Sequence, residues 1–396
     1  MRKRLLLTVF TLMGCCTAAW ADVLVNEANF PDENFRNCLL SDGYGQDGVL
    51  TDTEIAFVEY LDVREKNIKS LKGIEHFTAL GTLLCNDNQL TELDVSKNTE
   101  LAMLWCYNNQ LTALDVSKNT ALIALSCDNN QLTALDVSAC SRLAMLNCYV
   151  NRLTSLRLPD SKSLEYLDCG TNQLRGLDVS SYKKLHTFYC RDNQLNYLEV
   201  WGCSALEVFY CFGNQLTTLD MSGCTALTEF GCSDNRLYTL YLPPCPNLMW
   251  LNCGSNQLSR LDVVLCPALT RLYCYDNKFS GIYMDQFIKN LPEREDGEAY
   301  VFLYVENYED AGLTAPDGNV CTAAHVAAAK AKGWVPCAYN GEYWYRYPGI
   351  DDVDGISSPT PGPSPNGGEV YDLSGRRVGK PQRGLYIYNG KKVAFK

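Results

Sequence analysis

Leucine and cysteine recur along this chain with a period of twenty-one residues, for about ten turns. Each unit reads LxxLxCxxNxLxxLDVSxNTx. Alternation with a period of two is typical of a strand, so the LxC segment predicts a short strand with Leu and Cys facing inward. The ladder cysteines are Cys85, Cys106, Cys127, Cys148, Cys169, Cys190, Cys211, Cys232, Cys253 and Cys274. A fixed period of this length predicts a solenoid, in which each unit buries its apolar side against its neighbours.

An asparagine follows each ladder cysteine after three residues, from Asn88 to Asn277. We expect these side chains to bond turn backbone groups and the stacked asparagines to bond in register along the array. The LDV segment also alternates, as at Leu93 and Val95, and predicts a second extended edge in place of a helix. The predicted fold class is therefore a leucine-rich repeat solenoid, mainly parallel β with little helix.

The period is lost on both sides of the repeats. Two short amphipathic segments precede them and predict an α-helical N-terminal cap, which shields the first repeat from water. An α+β C-terminal flank and a small β tail follow. In chain order we predict a signal peptide at 1–21, a cap at 22–67, repeats at 68–282, a flank at 283–350, a Pro/Gly/Ser linker at 351–368 and a tail at 369–396.

The first residues predict export. Three basic residues follow Met1 and precede an apolar run that is too short to span a bilayer, which is typical of a secretory signal. Two processing sites are open, namely cleavage after Ala21 and lipid attachment at Cys15. Either one predicts a secreted protein or one displayed at the outer membrane or cell surface.

Charge excludes one class of partner. Cleavage after Ala21 leaves 31 Lys plus Arg against 46 Asp plus Glu, a net charge of −15, so duplex nucleic acid is not expected to bind. Residues 369–396 differ, with seven basic and two acidic side chains, whereas residues 22–368 carry a net charge of −20. The tail is therefore interpreted as a separate module.

An exported chain with this many cysteines normally contains disulfides, but the spacing opposes them. Equivalent residues on neighbouring parallel strands lie about 4.7–4.9 Å apart, while a disulfide needs Cβ atoms about 3.8 Å apart. We predict buried thiols that pack as small hydrophobes. A second cysteine column, with the same interpretation, replaces an asparagine of the early repeats at Cys140, Cys203, Cys224, Cys245 and Cys266. Cys321 and Cys337 lie outside both columns and either pair or stay as thiols.

Enzyme signatures are missing from the sequence. Its three histidines, His76, His186 and His325, fall far apart in the repeat frame, and it has no Gly-rich phosphate loop, HExxH pair or GxSxG elbow. We predict that the protein is not an enzyme and needs no cofactor, with calcium as the one open case.

The open case is the segment at 42–54. Aligned on Gly48, it places Asp47, Thr51 and Glu54 at ligand positions of a calcium loop, but it has glycines where two carboxylates are expected. A turn that caps the following helix explains the segment equally well.

A column of carboxylates accompanies the LDV motif at Asp94, Asp115, Asp136, Asp178, Glu199, Asp220 and Asp262. Stacked like charges repel each other. We favour hydrogen bonds from nearby Ser or Thr groups, such as Ser96 and Thr99, or from turn amides over a cation-binding shelf.

The outward positions of the LxC strands carry many rings. They are Trp105, Tyr107, Tyr149, Tyr166, Tyr189, Tyr210, Phe212, Trp250, Tyr273 and Tyr275, with Asp87, Asp128, Asp168, Asp192 and Asp234 among them. Aromatic residues are enriched in interface hot spots and acids steer a basic partner, so these columns predict a ligand-binding face. The alternative is that the rings only cover neighbouring rings on the sheet.

The repeat quoted from Leu104 to Leu122 resembles the cysteine-ladder units of internalin-J-like leucine-rich repeat surface proteins. This resemblance covers 68–282 and implies a surface adhesion or interaction protein without catalytic residues. Over its 28 residues, the tail at 369–396 is similar to the end of the sorting domains of type IX secretion in Bacteroides-type bacteria. That similarity implies export across the outer membrane, and a hairpin packed on the protein itself is the alternative.

Together these observations predict a protein partner on a host or bacterial surface. Two alternatives remain open, a biofilm protein that associates with copies of itself and a module that binds carbohydrate.

Overall fold

The computed structural model describes residues 22–294, 299–306, 316–340 and 342–349, and the backbone of 370–371, 384–388 and 391–395. The predicted signal peptide and linker lie outside these residues. The chain divides into two compact units, residues 1–273 and 274–396, which are taken in turn.

Consecutive repeats each add one three-residue strand to a parallel sheet, called here the main sheet. Equivalent residues pair in register, as Leu167 does with Leu146 and Phe188. These central side chains and the ladder cysteines are fully buried, which confirms the predicted alternation. The strands are Tyr60–Asp62, Thr82–Leu84, Met103–Trp105, Ala124–Ser126, Met145–Asn147, Tyr166–Asp168, Thr187–Tyr189, Val208–Tyr210, Glu229–Gly231, Trp250–Asn252 and Arg271–Tyr273.

The main sheet begins inside the segment assigned to the cap. Tyr60–Asp62 pairs in parallel with Thr82–Leu84. Val63 stands where later repeats have the ladder cysteine and is fully buried. A β-branched residue fills the same inward position, so the first turn lacks the cysteine that marks the others.

The LDV side forms hydrogen-bonded strands in only part of the array. Ala134–Asp136 pairs with Ser155–Arg157, and Gly176–Asp178 pairs with Tyr197–Glu199, both in parallel. From 78 to 280, a stretch that the structure describes completely, no helix interrupts the repeats. The predicted solenoid of parallel β structure with little helix is confirmed.

Each ladder asparagine joins two repeats through the backbone. Asn172 accepts a hydrogen bond from the Leu153 amide at 2.9 Å, and its Nδ2 donates to the carbonyls of Cys148, Cys169 and Gly170 at 3.0–3.1 Å. Asn193 and Asn256 repeat this pattern in their own turns. The asparagine column therefore joins neighbouring repeats through bonds to the backbone, in addition to the hydrogen bonds of the main sheet.

The described cysteines are thiols, and no disulfide joins any two of them, including Cys321 and Cys337. Burial raises the pKa of the ladder thiols Cys85, Cys169, Cys211 and Cys253, to about 12 at Cys253. The second column does more than fill space. The Sγ atoms of Cys203 and Cys224 donate to backbone carbonyls at 3.1 and 3.2 Å, just as Nδ2 of Asn119 does in an earlier repeat.

Replacing a cysteine by serine should therefore lower the stability by different amounts in the two cysteine columns. Cys169→Ser is expected to lower the free energy of unfolding by about 1–3 kcal/mol, because the ladder position buries a hydroxyl among apolar groups. Cys224→Ser should cost less, since its hydroxyl can donate to the Val200 carbonyl that the thiol already faces. Denaturant titration measures both variants, with Cys169→Val as a tolerated control.

Thiol labelling gives an independent check. The folded protein should react at few ladder cysteines and the unfolded protein at all of them. Equal losses of stability for the two serine variants, or disulfides found by mass spectrometry, would contradict these roles.

The N-terminal residues fold into two short helices beside a small sheet. Asp32 is the N-cap of helix Glu33–Ser41, and its side chain accepts from the Phe35 amide. Thr51 is the N-cap of helix Asp52–Phe57. Val23–Leu24 pairs antiparallel with Val49–Leu50, and a 3-10 turn spans Ile74–His76.

The second unit combines helices and strands. Helices Ile282–Asn290 and Ala323–Ala331 accompany strands Ala299–Val305, Trp334–Tyr339 and Trp344–Arg346. The first two strands are parallel, and the third is antiparallel to the second. In the tail, Gly384–Tyr388 pairs antiparallel with both Val370–Tyr371 and Lys391–Phe395.

Candidate binding face

The outward side of the main sheet is called here the ladder face. All ten rings predicted for this face are half-buried. Nine belong to the first unit. Tyr275 belongs to the second, where its ring centroid lies 5.3 Å from that of Trp344.

Five rings form a continuous row on the ladder face. Tyr189 stacks on Tyr210 with centroids 5.3 Å apart, and Tyr166 meets Tyr189 at 6.1 Å. Trp250 then contacts Tyr210 at 5.6 Å and Tyr273 at 5.9 Å. The rings therefore cover one another and at the same time leave a common outer surface, so both interpretations of the pattern describe part of the arrangement.

Two more features define the row. Phe212 lies 6.0 Å from Tyr210, whose hydroxyl donates to the Glu229 carboxylate. Gly231 lies between the rings of Tyr210 and Trp250, and a Cβ there would stand 3.1–3.2 Å from both. The glycine lets the two rings approach each other.

Trp105 and Tyr107 form a separate pair, with centroids 6.3 Å apart. The strands that follow carry polar groups instead of rings. Asp128 accepts from the Ser126 hydroxyl at 2.6 Å and from Asn147 Nδ2 at 3.0 Å. The ladder face thus has two aromatic areas with a polar area between them.

Arg191 is a central residue that the sequence analysis missed. Its guanidinium lies 4.7 Å from the Tyr149 ring centroid and 5.2 Å from that of Tyr189. It also bonds the Asp168 carboxylate at 3.4 Å. Gly170 makes room for it, because a Cβ there would stand 3.1 Å from Arg191 Cγ. Arg191 occupies the same outward column as Tyr149 and Phe212, and a basic residue in this column is the sequence signal that points to it.

The acids of the face have structural roles. Asp168 is 5% exposed and accepts from the Gly170 amide, and burial raises its pKa against the opposing effect of Arg191. Asp87, Asp192 and Asp234 occupy the left-handed turn position before the ladder asparagine, with φ of 57°, 54° and 54°. Short polar side chains tolerate that conformation, which accounts for acids at this position.

The six aspartates of the LDV column accept hydrogen bonds from the backbone amide two residues further along the chain. Asp94 accepts from the Ser96 amide at 2.9 Å and Asp115 from Ser117 at 2.8 Å. Bonds from these serines lower the pKa of both carboxyl groups. The same contact is made by Asp136, Asp178, Asp220 and Asp262. The hydrogen-bonding interpretation is confirmed for these six aspartates, whereas Glu199 of the same column does not make this contact.

Thr51 and Glu54 lie together at the start of a helix. Glu54 Oε2 accepts from the amide and hydroxyl of Thr51 at 2.8 Å, and Thr51 Oγ1 accepts from the Glu54 amide at 3.2 Å. Asp47 accepts from the Val49 amide. Within the described residues, no three His, Cys, Asp or Glu side chains are grouped as metal ligands. Calcium at this loop stays a prediction, and calorimetric titration with calcium tests it.

Comparison with known proteins places this geometry in a fold class. No protein-family model and no curated sequence matches the chain. It is similar to the crystal structure of an internalin, InlF, from Listeria monocytogenes, with 21% identity and a TM-score of 0.54, over 72% of this chain and 85% of that one. The APL1 leucine-rich repeat domain gives 19% identity and a TM-score of 0.51, over 63% and 69%.

The functional domain of InlJ from Listeria monocytogenes, which includes a cysteine ladder, is 25% identical over 73% of this chain and 78% of that one, with a TM-score of 0.48. The likeness to InlF and APL1 shows the fold. The chain is a leucine-rich repeat solenoid.

Proposed function

We propose that this chain is a non-enzymatic protein, secreted or displayed at the cell surface, that binds a protein partner through the ladder face. The row of Tyr166, Tyr189, Tyr210, Trp250 and Tyr273 supports this proposal. Six parallel strands carry the row, which makes it about 24 Å long at the usual strand spacing. A protein surface matches that length better than a small ligand does.

The packing of the row also favours binding. Rings held by their neighbours lose little conformational freedom when a partner covers them, so more of the contact energy appears as affinity. Arg191 adds a stacked cation that is already ordered between Tyr149 and Tyr189. We infer that Asp192 and Asp234, which are exposed, steer a basic region of the partner.

Changing Tyr189, Tyr210 and Phe212 together to Ser should weaken partner binding by more than about 2 kcal/mol. The variant should also lose about 1–3 kcal/mol of folding stability, because the rings pack on one another. A partner captured from host matrix or from neighbouring bacteria on immobilised wild-type protein is then titrated against the variant. Affinity is computed for the folded fraction, measured by circular dichroism.

Phe57→Ser and Tyr238→Ser are matched controls, since these rings are 77% and 55% exposed and lie off the ladder face. If the triple variant binds the partner with unchanged affinity, the ladder face is not the binding site. Sedimentation at rising concentration and a glycan array test the two alternatives, self-association and carbohydrate binding.

Export is part of the proposal and rests on residues 1–21 and on the tail. In the described part of the chain, no helix is both long and apolar enough to cross a membrane. If residues 369–396 act as a sorting signal, their deletion should leave the solenoid folded but abolish surface display. Unchanged display would mean that the tail is ordinary structure.

A further inference from the structure

A concave surface separate from the ladder face runs along the LDV side of the first unit and is called here the lateral groove. It consists of two cavities of about 370 and 330 Å³, which meet at Tyr197. Leu156, Leu158 and Gly176 line the first cavity. Thr218 and Tyr241 help to line the second, so the groove crosses several repeats.

Local sequence explains why space remains there. Tyr197 pairs in register with Gly176, and its Cδ1 lies 3.5 Å from where a glycine Cβ would stand. The ring therefore lies over the glycine. Threonines occupy the equivalent positions of the next two repeats, Thr218 and Thr239, and leave a gap as far as Tyr241.

Two tyrosines of the groove, Tyr197 and Tyr241, are open, unlike the rings of the ladder face, whereas Tyr182 is buried. Tyr241 is 79% exposed and Tyr197 is 51% exposed. The floor is apolar, since Leu198 and Leu219 remain 5% and 8% exposed beneath them. Two tyrosine rings beside nearly buried leucines are therefore accessible to a ligand.

The charged residues that line the groove are mostly acidic. Asp178, Glu199 and Asp220 stand at equivalent positions of three consecutive repeats and line the two cavities. Lys162 is the one basic residue among the described residues that line them. Its Nζ donates to the Ser180 carbonyl at 2.6 Å and lies 5.6 Å from the Tyr182 ring centroid. A cationic ligand would relieve the mutual repulsion of the carboxylates.

We propose that the lateral groove binds an extended, basic segment of a partner protein. Lysine or arginine side chains lie over the rings of Tyr197 and Tyr241, where the ring quadrupole attracts a cation. Their charged groups donate to Glu199 and Asp220 through charge-assisted hydrogen bonds. A neutral sugar would also stack on tyrosine, but a row of carboxylates favours a cation.

Fluorescence anisotropy with the full chain tests the site directly. The probes are a labelled peptide of alternating glycine and arginine and its counterpart of glycine and glutamate. The arginine peptide should bind and the glutamate peptide should not. Raising the salt concentration to ~0.5 M should weaken binding, because exposed charges are screened.

Two pairs of variants locate the site. Tyr197→Ser with Tyr241→Ser should raise the Kd for the arginine peptide about fivefold to thirtyfold, through the loss of two cation–ring contacts. Tyr238→Ser, which removes an exposed ring that lines neither cavity, should leave the Kd unchanged.

Charge is tested in the same way. Glu199→Gln with Asp220→Asn should weaken binding, whereas Asp94→Asn with Asp115→Asn removes the same charge from equivalent positions outside the groove and should not. If the tyrosine variant fails to fold, this second pair still decides the question.

Three results would overturn the proposal: no binding of the arginine peptide, equal loss with groove and control variants, or binding of a neutral hexasaccharide in place of the peptide. The ladder-face variant should bind the arginine peptide normally, so the two proposed sites fail or succeed separately.

Discussion

Asn172→Ala is expected to lower the free energy of unfolding by about 3–6 kcal/mol, because each buried polar group left without its hydrogen bond costs about 1–3 kcal/mol. The Asn172 side chain accepts a hydrogen bond from the Leu153 amide and donates to three backbone carbonyls. Alanine neither fills the space of the asparagine side chain nor makes its hydrogen bonds. Water has little access to this position, because the Asn172 side chain is only 8% exposed. The damage should reach both adjoining repeats, since Asn172 bonds two of them.

Denaturant titration of the full chain measures this loss. Gln173→Ala is the matched control, because its exposed side chain stands next to Asn172 and should cost no more than about 0.5 kcal/mol. Asn172→Asp should also destabilise, since it replaces the donating amide with an acceptor that faces carbonyl oxygens. If Asn172→Ala unfolds at the same denaturant concentration as Gln173→Ala, the asparagine ladder does not hold the array together.

Phe209→Ala should cost about 3–5 kcal/mol, the usual range for removing a fully buried ring. Phe209 is fully buried and stacks between Phe188 and Phe230, with centroids 5.4 and 5.3 Å apart. Alanine would leave a cavity between two rings that are themselves held by the sheet register. The neighbouring strands cannot move together to fill it without breaking that register.

Phe209→Leu is the matched control. Leucine occupies the same inward position in other repeats, for example at Leu167 and Leu251, and is fully buried there. The replacement should therefore cost no more than about 2 kcal/mol, mainly from the lost ring contacts. Equal losses for alanine and leucine in thermal and chemical unfolding would mean that ring stacking, and not filled volume, stabilises this part of the core.

Most of the fold could be predicted from the period of twenty-one residues. It predicted the LxC strands, the buried thiols, the turn asparagines and the near absence of helix, because all of these depend on contacts between equivalent residues of neighbouring repeats. In a repeat array, the period by itself identifies which residues of neighbouring repeats are in contact. Where the pattern changed, the prediction weakened, as at Tyr60–Asp62, where Val63 replaces the ladder cysteine and hides the first strand.

Only part of each candidate site could be predicted from the sequence. The aromatic columns were evident, but the pairing of Arg191 with Asp168 and the stacking of Arg191 on two tyrosines depend on side-chain conformation. The lateral groove depends on where the LDV strands stop pairing after Tyr197–Glu199 and on the small residues at its side. Repetition determines which residues are neighbours, whereas the packing of each side chain against its unlike neighbours determines which groups remain open to a ligand.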